Sequence, residues 1–201
     1  MGKRRLEEAV RVLQARQPEV AVDVRWRPFF LDPGLPKEGM SKMERYNKKF
    51  GEARVQQIIP HMQRVGQQHE PPIRFSYGGL IADTLDSHRL IEHAAAHGKQ
   101  DGVVEALFSR YFEREANIGD REVLLDAAAE AGLEREETRA FLASDAGVEE
   151  TRAEAADLVR RHNVSGVPHF IIGGRVQFSG AQEAPAIVDC FEHVLAAGAK
   201  A

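Results

Sequence analysis

Val167-Pro168, at the head of the apolar run His169–Ile172, is the step in this chain with the most chemical content. Only an X-Pro bond lowers the cost of a cis peptide to about 0.5–1 kcal/mol, and a proline leading into a strand is a setting where one is tolerated. The run continues through Gly173-Gly174, which suits a two-residue hairpin turn, to Arg175–Phe178. Ser179-Gly180-Ala181-Gln182 then stands where a closing helix is expected to open. Free amides at a helix start can hold an anion such as a carboxylate, although an ordinary N-cap is the simpler reading of Ser179. Cys190, beside Ile187, Phe191 and Val194, reads as a small core residue. His93 and His97 are four residues apart, as paired metal ligands on a helix would be, but no Cys or Asp neighbours them, so a structural or solvated pair and no metal is expected. His88 reads as a satisfied interior histidine. His169 is placed in the groove by its position after the proline alone. None of these residues is assigned a catalytic role.

The composition removes several classes of function. The 201 residues are 43% hydrophobic, enough for one sizeable core or for a small domain carrying an insertion. The net charge is −4, so no basic field points to nucleic acid. No run of about 18 apolar residues is present, which argues against a membrane span. The start of the chain passes directly into an amphipathic pattern without an apolar signal core, so the cytoplasm is the expected compartment. A single cysteine cannot build an intramolecular disulfide.

The elements that must position Pro168 follow from periodicity. Leu6, Ala9, Val10 and Leu13 recur at helical spacing within Gly2–Gln17. Val20, Val22, Val24 and Trp26 alternate with polar residues, which predicts a half-exposed strand, and Pro28 places it at an edge. A loop rich in proline and glycine covers Leu31–Gly39. Helices are expected over Ser41–Phe50, Glu52–Gln68 with a kink or break at Pro60, Thr84–His97, Gln100–Ala116, Asp120–Ala131, Glu134–Ala143 and Gly147–His162. Pro71–Gly79 reads as a loop. The chain ends in a helix with Ile187, Val188, Phe191, Val194 and Leu195 on one face. The two β-containing ends are too small to fold separately, so they are expected to share one sheet. This places residues 1–36 and 163–201 in one discontinuous domain and residues 37–162 in a helical insertion.

A helix that leads into a parallel strand is normally half of a βαβ unit. Only Met1 and Gly2 stand before Lys3, fewer residues than a strand needs. Either the N-terminal strand of the sheet is missing from this chain, or the sheet has three strands and another arrangement fills the gap. The missing strand is the expectation, because the apolar face of the first helix would otherwise be poorly covered.

Seven segments, in order, carry a resemblance: Gly2–Ala9, Trp26–Pro33, Lys49–Gly51, Ser87–Leu90, Leu107-Phe108 with Tyr111-Phe112, Ser165–Pro168 and Ser179–Gln182. Together they resemble the DsbA-like thioredoxin proteins of the FrnE type over nearly the whole chain. In that family a first strand ends in Cys-Pro-Trp-Cys, closely followed by Gly-Lys-Arg-Arg-Leu-Glu, so this chain begins just downstream of the motif and reads as truncated. The resemblance implies an α/β protein with a thioredoxin-like sheet and a large all-helical insertion. It implies thiol–disulfide oxidoreductase activity in full-length relatives and none in dithiol exchange for the chain as it stands. Lys3, Arg4 and Arg5 add positive charge where such a nucleophile would sit.

The resemblance further implies that the backbone before the cis-proline pairs with an extended substrate, making Val167, Pro168, Ser179 and Gly180 the substrate-binding residues. The substrates would be protein or peptide thiols and disulfides, or glutathione, with no bound cofactor. Kappa-class glutathione transferases and 2-hydroxychromene-2-carboxylate isomerases share the architecture but carry serine for the first cysteine, so a glutathione-dependent isomerase or transferase is an alternative. A third reading is a non-catalytic binding module that pairs its open sheet edge with another copy as a homo-oligomer.

Overall fold

The computed structural model describes residues 1–198. The chain divides into two compact units, Met1–Val24 together with the chain from Val159 onward, and Arg25–Leu158.

In the first unit α1 (Gly2–Arg16) and α9 (Ala184–Gly198) pack against each other beside a hairpin of β3 (His169–Ile172) and β4 (Val176–Ser179). The core consists of Ala9, Leu13, Ala184, Ile187, Val188 and Phe191, with Leu6, Val10, Val20, Val22, Ile172 and Phe178 against it. Each fully buried Leu or Ile here contributes about 1.5–3 kcal/mol relative to an exposed one. The hairpin is antiparallel, with His169 opposite Ser179 and Ile172 opposite Val176. Its loop is one residue longer than the two-residue turn expected, because Arg175 donates its N–H to the Ile172 carbonyl at 3.1 Å and pairing resumes only at Val176. Gly173 is required twice over: its φ is +56°, and a Cβ would lie 2.5 Å from Cγ1 of Val194.

The expected strand Val20–Trp26 is not one. Among the described residues no segment forms a ladder with it, and alternation makes a segment only competent to pair. Val20 and Val22 share the core with β3 and β4 instead of sharing a ladder. Beyond Val24 the chain belongs to the second unit, where the side chain of Gln100 brackets Trp26: its Oε1 accepts from Trp26 N–H and its Nε2 donates to the Trp26 carbonyl, each at 2.9 Å. Trp26 Nε1 donates to Asp101 at 3.1 Å, and its ring stands edge-on to Phe108.

The second unit is helical: α2 (Lys42–Phe50), α3 (Glu52–Gln67), α4 (Leu85–Ala96), α5 (Gln100–Phe112), α6 (Arg121–Glu130), α7 (Arg135–Ala143) and most of α8 (Val148–His162). Pro60 lies inside α3 without ending it. Two strands of two residues, β1 (Met40–Ser41) and β2 (Leu80–Ile81), pair antiparallel and were not expected. They are too short for any period to appear in the sequence. The core collects Leu90, Ala94, Val103, Leu107, Leu124, Leu125, Ala128 and Leu142 from α4 to α7. Asp120 caps α6 by accepting from the N–H groups of Glu122 and Val123.

Glu92 on α4 has one buried carboxylate oxygen without a partner. Burial, and then the charge of Glu154, raise its pKa, with Arg27 opposing. A carboxyl whose pKa is raised on folding stabilises the protein while protonated and loses that contribution as pH rises through the folded value. Glu92→Gln is therefore expected to raise the urea midpoint at pH 7, with the gain disappearing below the unfolded carboxyl range, near pH 4. A midpoint difference independent of pH would contradict this.

Candidate functional site

The site builds from the first unit alone. The Val167–Pro168 peptide is cis. The start of α1 packs directly on the proline: a Cβ built on Gly2 would lie 2.9 Å from Cγ of Pro168 and 3.5 Å from the ring of Phe170. Gly2 is the one residue type that lets the helix terminus approach so closely. The proline turn is anchored from the other side, where Gly180 donates its N–H to the Pro168 carbonyl at 2.9 Å. His169 Nδ1 and Ser179 Oγ, facing each other across the hairpin, are hydrogen-bonded at 2.8 Å. His169 Nε2 is buried without a partner.

Val167 differs from its neighbours. It is 54% exposed, and neither its N–H nor its carbonyl is hydrogen-bonded within the described residues. The outer edge of β3, next along the chain, is likewise unpaired among those residues. An exposed donor and acceptor immediately before a fixed proline, beside a helix N-terminus, can pair with an extended chain.

The electrostatics of the helix start are more balanced than its composition suggests. Lys3 and Arg4 both pair with Glu7, and Arg5 pairs with Glu183 and donates to the Ala181 carbonyl. Within these pairs three cations meet two carboxylates, and the α1 dipole adds the equivalent of about half a positive charge at the same end.

Ser179 and Gly180 lie beside Pro168, but not where they were expected. Ser179 ends β4 and Gly180 follows it, and the closing helix opens only at Ala184. The Gly180 amide is engaged by Pro168, so the stretch offers no cradle of free amides for a carboxylate. These two residues hold the proline turn in place. Gly2 was missed as a site residue; its signal was the smallest residue type at a helix start. Cys190 is partly buried on α9. His88 is an interior histidine of the second unit: its Nε2 donates to the Phe29 carbonyl at 3.2 Å and its ring meets Phe30 edge-on. Burial pulls its pKa down, partly offset by that bond and by Asp83. No helix among the described residues is long and apolar enough to cross a membrane.

Comparison with known proteins agrees with this geometry. Residues 1–192 match the family model of the DSBA-like thioredoxin domain. The crystal structure of a probable DsbA oxidoreductase from Streptomyces coelicolor superposes with a TM-score of 0.84 at 28% identity, covering 97% of this chain and 83% of that one. No curated protein sequence matches the chain. A cis-proline loop seated on the first helix, a hairpin and closing helix behind it, an inserted helical unit, and a family match over nearly the full length lead to one conclusion: the chain belongs to the DSBA-like thioredoxin family.

Proposed function

We propose that the chain is the substrate-binding framework of a thiol–disulfide oxidoreductase of the FrnE type, acting on protein or peptide disulfides. The unpaired backbone of Val167 beside cis-Pro168 carries this reading. An extended peptide pairs with Val167, Pro168 orients it, Ser179 and Gly180 hold the turn, and the α1 N-terminus faces the sulfur to be attacked. In dithiol exchange a thiolate attacks one sulfur of the substrate disulfide, and the other sulfur leaves and takes up a proton. A second cysteine thiolate then attacks the enzyme sulfur of the mixed disulfide, the bond to the substrate breaks, and the substrate's remaining sulfur leaves and takes up a proton. The enzyme is thereby oxidised to its disulfide as the substrate is reduced to the dithiol. The helix dipole lowers the thiol pKa and makes the thiolate available near neutral pH. The 201 residues hold one cysteine, so by themselves they are inactive in this exchange under our proposal. The compartment we propose is the cytoplasm, since a single cysteine gives no sign of oxidative folding.

The test is a chain extended upstream so that Cys-Pro-Trp-Cys stands a few residues ahead of Gly2, assayed by insulin turbidity. Reduction is expected from that protein, none from the chain as given, and at least tenfold less when Pro168→Ala is added, about 1.4 kcal/mol of transition-state stabilisation. A folded protein with the motif and no activity would sink the proposal. Saturable glutathione binding by calorimetry, weakened by Pro168→Ala and without insulin reduction, would move the assignment to the glutathione-dependent isomerases and transferases. The open edge of β3 supports a non-catalytic homo-oligomeric module as the remaining alternative. A stable monomer by light scattering would count against that one.

A further inference from the structure

His93 and His97 come together with a third group that lies 40 residues further along the chain. His93 is one turn before His97 at the C-terminal end of α4, and the two rings lie 4.8 Å apart. Glu137, in the first turn of α7, approaches with Oε1 3.8 Å from His97 Nε2. One ligand atom from each of the three residues lies within 4.8 Å of the others. Phe141, one turn after Glu137 on the same face of α7, stacks on His93 at 4.3 Å and 16°. The guanidinium of the buried Arg89 backs Phe141 at 5.0 Å. The face of α7 that fixes the plane of one imidazole therefore also aims a carboxylate at the other.

We propose that His93, His97 and Glu137 form a binding site for a borderline divalent transition cation, with Zn2+ as the type case, that ties α4 to α7. Two imidazoles and a carboxylate are the donors such ions take, whereas Mg2+ and Ca2+ prefer all-oxygen sets. Ligands at about 2.0–2.2 Å from a tetrahedral zinc lie about 3.3 Å from one another. The set must close by about 1.5 Å at most, within the reach of rotamer changes at two side chains that are 39% and 58% exposed, His97 and Glu137. Three protein ligands leave the fourth position to solvent, and the site belongs to the helical unit, separate from the residues that would handle the disulfide. An ion that binds only the folded chain stabilises it by mass action, so the site acts as a metal-dependent clamp.

The test uses the full chain and ZnCl2 alone, with MgCl2 as the control, by calorimetry and thermal melting. His97→Ala and Glu137→Gln change exposed side chains, and circular dichroism establishes that both remain folded; His61→Ala removes an exposed histidine elsewhere. The expected result is saturable binding of one Zn2+ per chain and a raised Tm in the wild type and in His61→Ala, with no response to Mg2+. His97→Ala and Glu137→Gln are each expected to weaken Zn2+ binding by about tenfold or more. Absence of saturable Zn2+ binding, or unchanged affinity in either of those two variants, would overturn the proposal.

Discussion

Replacing Arg89 with leucine is expected to remove about 3 kcal/mol or more from the stability of the helical unit, the range for breaking a buried ion pair from one side. Arg89 is 2% exposed, and its guanidinium donates to the carbonyls of Phe141, Ser144 and Ala146 while pairing with Asp86 at 2.6 Å. Leucine fills much of the volume but offers no donor. The carbonyls that follow the end of α7 then lose partners that water cannot easily replace, at about 1–3 kcal/mol for each acceptor left buried and unpaired. Asp86 is a third exposed and can rehydrate, which holds the total toward the lower end. Urea unfolding followed by circular dichroism measures the effect as a lower midpoint. An unchanged midpoint would show that the carbonyls are satisfied without the arginine.

The second large effect is expected at Gly79, and its neighbour provides the control. Gly79 has φ +75°, and a Cβ there would lie 2.2 Å from the carbonyl oxygen of Glu115 and 2.9 Å from its carbonyl carbon. Glu115 is itself at φ +57°, and its carboxylate accepts from Ser76 Oγ and Gly78 N–H. Backbone faces backbone in this place, so neither side can yield cheaply. Gly79→Ala combines a left-handed conformation, about 1–2 kcal/mol for a residue with a Cβ, with a clash that must displace the turn before β2. At Gly78 the obstacle is the exposed carboxylate of Glu115, 2.4 Å away, which can swing aside. Gly79→Ala is therefore expected to lower the urea midpoint clearly more than Gly78→Ala. Equal midpoints for the two would show that the loop moves as a whole.

The helices were legible because each repeats its apolar residues at a helical period and carries its own punctuation. Asp120 before α6 and Gly51 between α2 and α3 mark boundaries that the structure places within a few residues. Residues 20–26 were misread for the opposite reason: alternation is a local signal, whereas a strand is defined by a partner. The bracket that Gln100 forms around Trp26 joins positions 74 residues apart and leaves no trace in either segment. The proline turn was readable in outline, since Val167-Pro168 stands out in any reading of the chain. Its support was not: Gly2 and Gly180 are separated from Pro168 by 166 and 12 positions, and only folding reveals that one packs on the ring and the other holds the carbonyl. Glu137 escaped notice likewise, because helix periodicity can pair His93 with His97 but says nothing about which residue of another helix will face them.

The Gln100 bracket also bears on how this chain behaves at high concentration. An extended segment with a free N–H and carbonyl can be copied by a second molecule, which presents its own free pair to a third, and so a filament grows. At Trp26 both groups are taken by one amide side chain. A glutamine in a helix has no further backbone pair to pass on, so at Trp26 the bracket closes that one position to pairing with a second chain.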